Sequence, residues 1–362
     1  LTGLVLHVIT GLGTGGAEAQ LAALVAADHA DGRPAAVVSL TPGGGHRDRL
    51  LAAGIDVSDL GMRRGRPSPI ALLRLAGMIR RLKPVVVQSW LYHADLMAVA
   101  ALKLSGRRRK TRLYWNLRCS DMDTARYGRG LRTTIAGCVA LSSVPDAVIA
   151  NAETGVEVHR GLGYRPKRFL VIDNGIDTAR YRPDPEARTA IRSQLGIADE
   201  TPVLALVARC DAMKDHETFL RAFDRLSGVE ALLVGAGTEA LPAKPGLHRL
   251  GRRDDVPALL ASADVIVNSS AFGEGFSNAI AEGMAAGLPA VATDVGDARR
   301  IVGAAGRIVR PGDPVALADA IAGVFADDRQ SLGQSARARI ETHFSMDRMI
   351  AAYRALYDQA AP

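Results

Sequence analysis

Short runs rich in Val, Ile, Leu and Ala alternate with longer amphipathic, Ala/Leu-rich stretches along nearly the whole chain. That alternation admits few architectures, because a strand that returns through a helix must lie parallel to the strand before it. In the first half the pattern predicts strands at 4–9, 35–40, 85–88, 112–115, 147–150 and 169–172. In the second half it predicts strands at 203–208, 231–234, 247–250, 265–268, 290–293 and 306–309, with helices at 216–226, 256–261, 278–286, 314–325 and 328–343. Between residues 177 and 199 the chain turns polar, with Pro183 and Pro185, which reads as a domain junction. At 362 residues the chain exceeds a typical single domain. The expectation is an α/β protein of two Rossmann-like, doubly wound domains facing across a cleft, with ligand at the C-terminal ends of the strands.

Composition narrows the partners. The net charge of +7 is uneven: residues 1–180 hold 25 Lys and Arg against 14 Asp and Glu, and the remainder holds 20 against 24. The basic excess gathers at Arg63-Arg64-Gly-Arg66, Arg80-Arg81-Leu-Lys83 and Arg107–Arg112. Such patches suit anionic membrane surfaces or phosphorylated substrates, or are solvated loop charge. No interleaved aromatics or nucleic-acid motif accompany them, so nucleic acid is not expected. No apolar run is long enough to span a bilayer, and no signal-peptide pattern opens the sequence. Cys119, Cys138 and Cys210 fit neither a zinc site nor a disulfide framework, which points to a reducing cytoplasmic setting.

The segment Phe272-Gly-Glu-Gly-Phe-Ser-Asn-Ala-Ile-Ala-Glu282 carries the most chemistry. Glu274 stands on a Gly-flanked loop and Glu282 one to two turns into the helix that follows. Between them the helix start offers free N–H groups to a phosphate. Two acids beside an anion make sense if they face hydroxyl groups, as on a ribose and a sugar. Arg209 ends a predicted strand and Lys214 follows five residues on, so both cations project from one strand end toward a diphosphate. Gly11-Leu-Gly13-Thr-Gly-Gly16 satisfies G-x-G-x-x-G formally, but the second strand ends Val38-Ser39-Leu40-Thr41 without the acid that a dinucleotide ribose needs. NAD is therefore not expected; the loop is either a tight turn or a close approach of backbone N–H groups to phosphate or sugar. His93 opens a helix at a strand's C-terminal end and is either structural or aimed at the cleft. Trp115 and Arg118, at the next strand end, are candidates for the acceptor side. Asp121-Met-Asp123 resembles a D-x-D metal signature but sits in a polar loop, and no His/Cys/carboxylate set elsewhere has metal-ligand spacing, so no metal and no cofactor are expected.

Together these residues resemble the retaining glycosyltransferases of the GT-B fold, family 4. The resemblance rests on Val207-Ala-Arg209-(x4)-Lys214-Asp215-His-Glu217, Leu233-Val-Gly235-Ala-Gly237, Leu250-Gly-Arg252, the Glu274/Glu282 pair, and Gly287-Leu-Pro289 through Gly296. Gly15-Gly16-Ala-Glu18 and His93 also fit. It implies an acceptor-side first domain, 1–177, completed by a C-terminal helix within 345–362, and a donor-binding domain, 178–344. It further implies that Arg209 and Lys214 grip the donor diphosphate with N–H groups near Ser277 and Asn278. Glu282 would bind the ribose, backbone at Leu250–Arg252 the base, and Glu274, Gly275 and Phe276 the sugar. Gly15 and Gly16 would lie near the donor phosphate, and His93 near the reacting carbon. Asp297 and Arg299-Arg300 depart from the family's usual Gly and acid. The implied activity is retaining, metal-independent transfer of a sugar from a UDP- or GDP-sugar to an acceptor hydroxyl, lipid-linked or on a polysaccharide precursor, at or near the inner membrane face. A GT-B epimerase or hydrolase of nucleotide sugars, and a non-catalytic sugar-phosphate-binding module, are the alternatives.

Overall fold

The computed structural model describes residues 3–63, 66–118, 120 and 128–359. The chain divides into two units, Leu1–Asp173 with Met349–Pro362, and Asn174–Arg348.

The first unit runs β1 (Val5–Ile9), α1 (Gly16–Ala30), β2 (Ala35–Ser39), α2 (Gly45–Ala52), β3 (Asp56–Asp59), α3 (Pro69–Leu82), β4 (Val86–Trp90), α4 (Tyr92–Leu104), β5 (Arg112–Leu117), α5 (Arg129–Leu141), β6 (Ala147–Ala150), α6 (Glu153–Gly161) and β7 (Phe169–Val171). All its strand pairs are parallel, in the order β3-β2-β1-β4-β5-β6-β7. Val5 is flanked by Ala35 on one side and Val86 on the other, so the chain's direction of travel across the sheet reverses between β1 and β4. Leu6, Val8, Val38, Val87 and Leu113 bury one face of this sheet beneath Leu75 and Ile79 of α3. β3 escaped the sequence pattern because Asp-Val-Ser-Asp holds one apolar residue in four. Polarity of that kind is what an edge strand uses to discourage unwanted pairing.

The second unit runs α7 (Pro185–Leu195), β8 (Val203–Val207), α8 (His216–Phe223), β9 (Glu230–Val234), β10 (Leu247–Gly251), α9 (Val256–Ser262), β11 (Val265–Asn268), α10 (Asn278–Ala285), β12 (Ala290–Thr293), α11 (Ala298–Val302), β13 (Gly306–Val309), α12 (Pro314–Ala326) and α13 (Arg329–His343). Its parallel sheet has the order β10-β9-β8-β11-β12-β13, reversing between β8 and β11. Leu206, Phe219, Phe223, Leu233 and Ile321 lie in its core.

α7 occupies the polar stretch expected to be a junction. Asp184 caps it by accepting from Ala187 N (3.0 Å), Pro185 opens its first turn, and Gly196 closes it at φ 71°. Its Arg192 is buried and donates to the carbonyls of Ser262, Ala198, Asp199 and Thr201 and to the Asp264 carboxylate. That network makes the helix part of the second unit.

The last helix, α14 (Met346–Asp358), docks into the first unit from Met349 onward. Tyr353 and Tyr357 are fully buried. The Tyr353 hydroxyl accepts from Asn116 Nδ2 (2.6 Å) and Arg118 Nη2 (2.8 Å), and Arg354 Nε donates to Asp28 (2.7 Å). Truncating Tyr353 to Ala removes a buried aromatic and should destabilise the first unit by about 3–5 kcal/mol. Tyr353→Phe, which removes the acceptor of both bonds, should cost about 1–3 kcal/mol. Urea titration of the two variants checks both values, and a Tyr353→Phe variant as stable as the unsubstituted chain would refute the role of the hydroxyl.

Candidate functional site

Where strand order reverses, the loops from the two neighbouring strands diverge and leave their C-terminal ends open. In the second unit those ends belong to β8 and β11. Beyond β8, Arg209 is largely exposed (61% of its side chain) and its guanidinium bonds Asp211 at 3.1 and 3.2 Å. Asp211 also accepts from Met213 N (3.0 Å), closing a single 3-10 turn that carries Lys214. Asp215 sits at φ 45° and caps α8 through Thr218, so the backbone swings sharply just after Lys214.

The loop after β11 comes to meet it. Lys214 Nζ pairs with Glu274 Oε1, and both side chains are largely buried. The same oxygen accepts from Ser270 Oγ (2.7 Å), while Ser269 Oγ donates to the Lys214 carbonyl (2.9 Å) and Ala271 N to the Met213 carbonyl (2.9 Å). Thr293 Oγ1, at the end of β12, donates to the Ser270 carbonyl (2.7 Å). Three strand ends thus hold Glu274 and Lys214 in one place.

α10 starts directly beyond. Ser277 is its N-cap residue but makes no side-chain cap bond, and the first turn carries no acid. The first-turn N–H groups of the helix therefore lack a cap. Asn278 Oδ1 accepts from Asn174 Nδ2 (2.7 Å), which ties the helix start to the segment entering the unit. The Phe276 side chain is buried against Phe344 (centroids 5.4 Å apart), so only its backbone is presented. One turn later Glu282 is partly exposed and hydrogen-bonded to the Tyr181 hydroxyl; burial lifts its carboxyl from 4.5 to about 7, opposed by Tyr181 and Arg180. Gly283 lets α10 lie close on β11, since a Cβ there would meet Ile266 at 2.6 Å. Leu250 and Arg252 flank the end of β10, where Gly251 N donates to Thr238 Oγ1 (3.0 Å).

The two departures from the family pattern answer each other. Gly296 (φ 61°) passes so close to the Glu274 carbonyl that a Cβ would come within 2.4 Å of it. Asp297 N then donates to the Gly275 carbonyl (3.0 Å), and the Asp297 carboxylate pairs with Arg300 at 2.8 Å. Arg299 pairs with Asp294. Asp297 and Arg300, expected from the resemblance to be departures, thus form an ion pair next to the Glu274 loop.

The first unit has a reversal point of its own, between β1 and β4. The glycine loop leaves β1 and ends at Gly15, the N-cap of α1, with Gly16 as its first residue. Glu18 closes over that turn, its Oε2 2.5 Å from where a Gly15 Cβ would stand. His93, partly exposed, lies in the first turn of α4 after Leu91, which takes the strained value φ 74°.

Two expectations there need correction. Trp115 does not line a surface: it is fully buried in the core, edge-on to Tyr164. In a sheet covered on both faces, neither side of a strand is free. Arg118 is also turned inward, with its guanidinium 4.6 Å above the Trp90 ring and bonded to Tyr353, and so anchors α14. Asp121-Met-Asp123 lies outside the described residues. Ser270 and Tyr181 are site residues that sequence reasoning missed; a Ser after a strand and a Tyr in a polar turn carry no signal of their own. A depression of about 470 Å³ near Asp264 and Pro289 lies at the opposite, N-terminal end of the strands and is separate from these groups.

The chain is similar to known proteins in sequence and in fold. A family model for glycosyl transferases group 1 matches residues 201–327, and a glycosyltransferase family 4 model matches residues 14–180. A D-inositol 3-phosphate glycosyltransferase of Xylanimonas cellulosilytica is 30% identical over 239 residues, 59% of this chain and 57% of that protein. A phosphatidyl-myo-inositol mannosyltransferase of Mycolicibacterium smegmatis is 33% identical over 189 residues, 48% of this chain and 47% of that protein. The chain thus spans about half the length of these relatives. The crystal structure of Anabaena Alr3699/HepE in complex with UDP superposes with a TM-score of 0.85 at 22% identity, covering 98% of this chain and 99% of that one. That likeness shows the fold, GT-B.

Glu282 makes the site's protonation measurable. A carboxyl whose folded pKa stands above its unfolded value contributes stability that is fully present at low pH and lost as pH rises. For Glu282 the loss falls between pH 4.5 and about 7. Glu282→Gln should flatten the pH dependence of unfolding in that window, read from denaturant titrations of both proteins. An unchanged slope would show that Glu282 titrates normally.

Proposed function

The chain belongs to glycosyltransferase family 4, and on that premise we propose that it transfers a sugar from a nucleoside diphosphate sugar to an acceptor hydroxyl. The observation that carries this reading is the convergence of Arg209, Lys214, Glu274 and the uncapped start of α10 at one sheet reversal, with Glu282 one turn beyond.

The departing diphosphate needs positive charge that is already in place. Arg209 holds Asp211 only through an exposed pair, and such pairs contribute about 0–1 kcal/mol, so its fork can turn to phosphate at little cost. Lys214 adds a point charge, and the N–H groups at Ser277 and Asn278 add aligned dipoles. Glu274, with Gly275 and the backbone of Phe276, receives the sugar hydroxyls. Glu282 receives the ribose, with Tyr181 fixing its carboxylate, and the backbone at Leu250–Arg252 flanks the base. Gly15, Gly16 and His93 are the first unit's substrate contacts on this reading.

The transfer proceeds with retention and without a metal: the donor's own phosphate oxygen takes the acceptor proton on the same face, so no protein nucleophile is assigned. The UDP held by the Anabaena protein supports a UDP-linked donor, with GDP as the other candidate. Relatives named for an inositol phosphate and a phosphatidyl-inositol support a phosphorylated or lipid-linked acceptor, and on this reading the chain makes peripheral contact with an anionic membrane. The basic excess of residues 1–180 agrees with that.

Arg209→Ala should lower kcat/KM by at least about 100-fold without lowering the melting temperature. Lys214→Ala should lower kcat/KM as much but also lower the melting temperature, because it leaves the largely buried Glu274 carboxylate without its cation. Transfer assays with UDP- and GDP-sugars, with and without acceptor, read this. Near wild-type transfer by either variant would sink the assignment, and fast hydrolysis or epimerisation without acceptor would move it to a nucleotide-sugar hydrolase or epimerase.

A further inference from the structure

Residues 60–120 contain fourteen Lys and Arg and a single acid, Asp95. That acid is fully buried and bonded by Ser89 Oγ (2.5 Å), so it offers nothing to the surface. The described surface residues of this stretch therefore carry charge of one sign, with Arg108 and Arg112 paired to Asp146 from outside it. Its most exposed element is α3, capped by Ser68 through Ala71 N (3.2 Å) and opened by Pro69. Ala71, Leu75 and Ile79 turn one face of α3 into the core.

The opposite face holds Ile70 and Leu73, each 65% exposed, followed by exposed Arg74, Arg80 and Arg81 at helical spacing. The end of α4 adjoins it: Arg80 Nη2 donates to the Leu104 carbonyl (3.2 Å), and the Leu104 side chain is 49% exposed. A single exposed aliphatic means little. Two at 65%, on one helix face and beside arginines that have no acid among them in sequence, are a different feature. The combination matches what an anionic bilayer binds, which is cations for the headgroups and aliphatic side chains for the acyl boundary. Nucleic acid is disfavoured because single-stranded binding relies on exposed aromatics, and the exposed large apolar residues here are all aliphatic.

We propose that the outer face of α3, with the end of α4, docks on a membrane containing anionic lipid, placing Ile70 and Leu73 at the acyl boundary. This gives the membrane contact in the proposed function a surface. It depends on surface chemistry and not on sugar transfer, so either can fail alone.

The test is co-sedimentation with vesicles of phosphatidylcholine alone and of phosphatidylcholine mixed equally with phosphatidylglycerol. The chain should pellet with the mixed vesicles, less as salt rises, and weakly with neutral ones. Ile70→Ser with Leu73→Ser, and Arg74→Ser with Arg81→Ser, should each reduce partitioning by about tenfold or more. Melting temperature, and its rise on adding UDP or GDP, should match the unsubstituted chain in both variants. No pelleting with mixed vesicles would overturn the proposal, as would equal pelleting with neutral ones or undiminished partitioning of either variant. Binding to single-stranded RNA or DNA through the same arginines, without vesicle binding, would replace it.

Discussion

Each unit depends on a reversal in the order of a parallel sheet. Right-handed βα crossovers that travel one way across a parallel sheet put their helices on one face, and those that travel the other way put them on the opposite face. At the return point the helices before and after it pack on opposite faces, and nothing covers the strand ends between them. In the second unit this constraint places the turn after β8 beside the loop after β11, and so brings Lys214 to Glu274 across sixty residues of sequence. In the first unit it places the glycine loop after β1 beside the strained entry to α4.

The charged groups at the second reversal are held unequally. Glu274 is fixed from three sides by Lys214, by Ser270, and by the Gly296–Asp297 turn beneath its carbonyl. Arg209 is held by one exposed carboxylate. Largely buried pairs resist separation because each charge would lose its only compensation, whereas exposed pairs exchange with solvent readily. The site thus combines a carboxylate held by several contacts with an exposed guanidinium held by one. That division suits a task in which the sugar must be oriented before the diphosphate leaves. The Asp297–Arg300 pair belongs to the same support, since the Asp297 N–H also donates to the Gly275 carbonyl of that loop.

Much of this was legible in the sequence. Most predicted strands lie within one or two residues of their observed bounds, because buried parallel strands read as unbroken apolar runs. Arg209, Lys214, Glu274 and Glu282 were singled out from spacing alone, and the structure gathers them within one unit. β3 was missed because its polar residues suit an edge. α7 was missed because its anchor is a buried arginine, which looks like surface charge in sequence, although Asp184, Pro185 and Gly196 signal a helix by its caps. Trp115 was misjudged because position at a strand end says nothing about which side chains the flanking helices cover. Tyr181 and Ser270 matter only through the acids they touch, so no local pattern marks them.

The central claim is that the reversal between β8 and β11 is a nucleoside diphosphate site, and a crystal structure of the chain with UDP or GDP addresses it directly. The account predicts diphosphate oxygens within hydrogen-bond reach of the Arg209 guanidinium, Lys214 Nζ and the first N–H groups of α10, with ribose hydroxyls on Glu282. Nucleotide bound elsewhere, such as in the depression near Asp264, or diphosphate lying away from both cations, would contradict it.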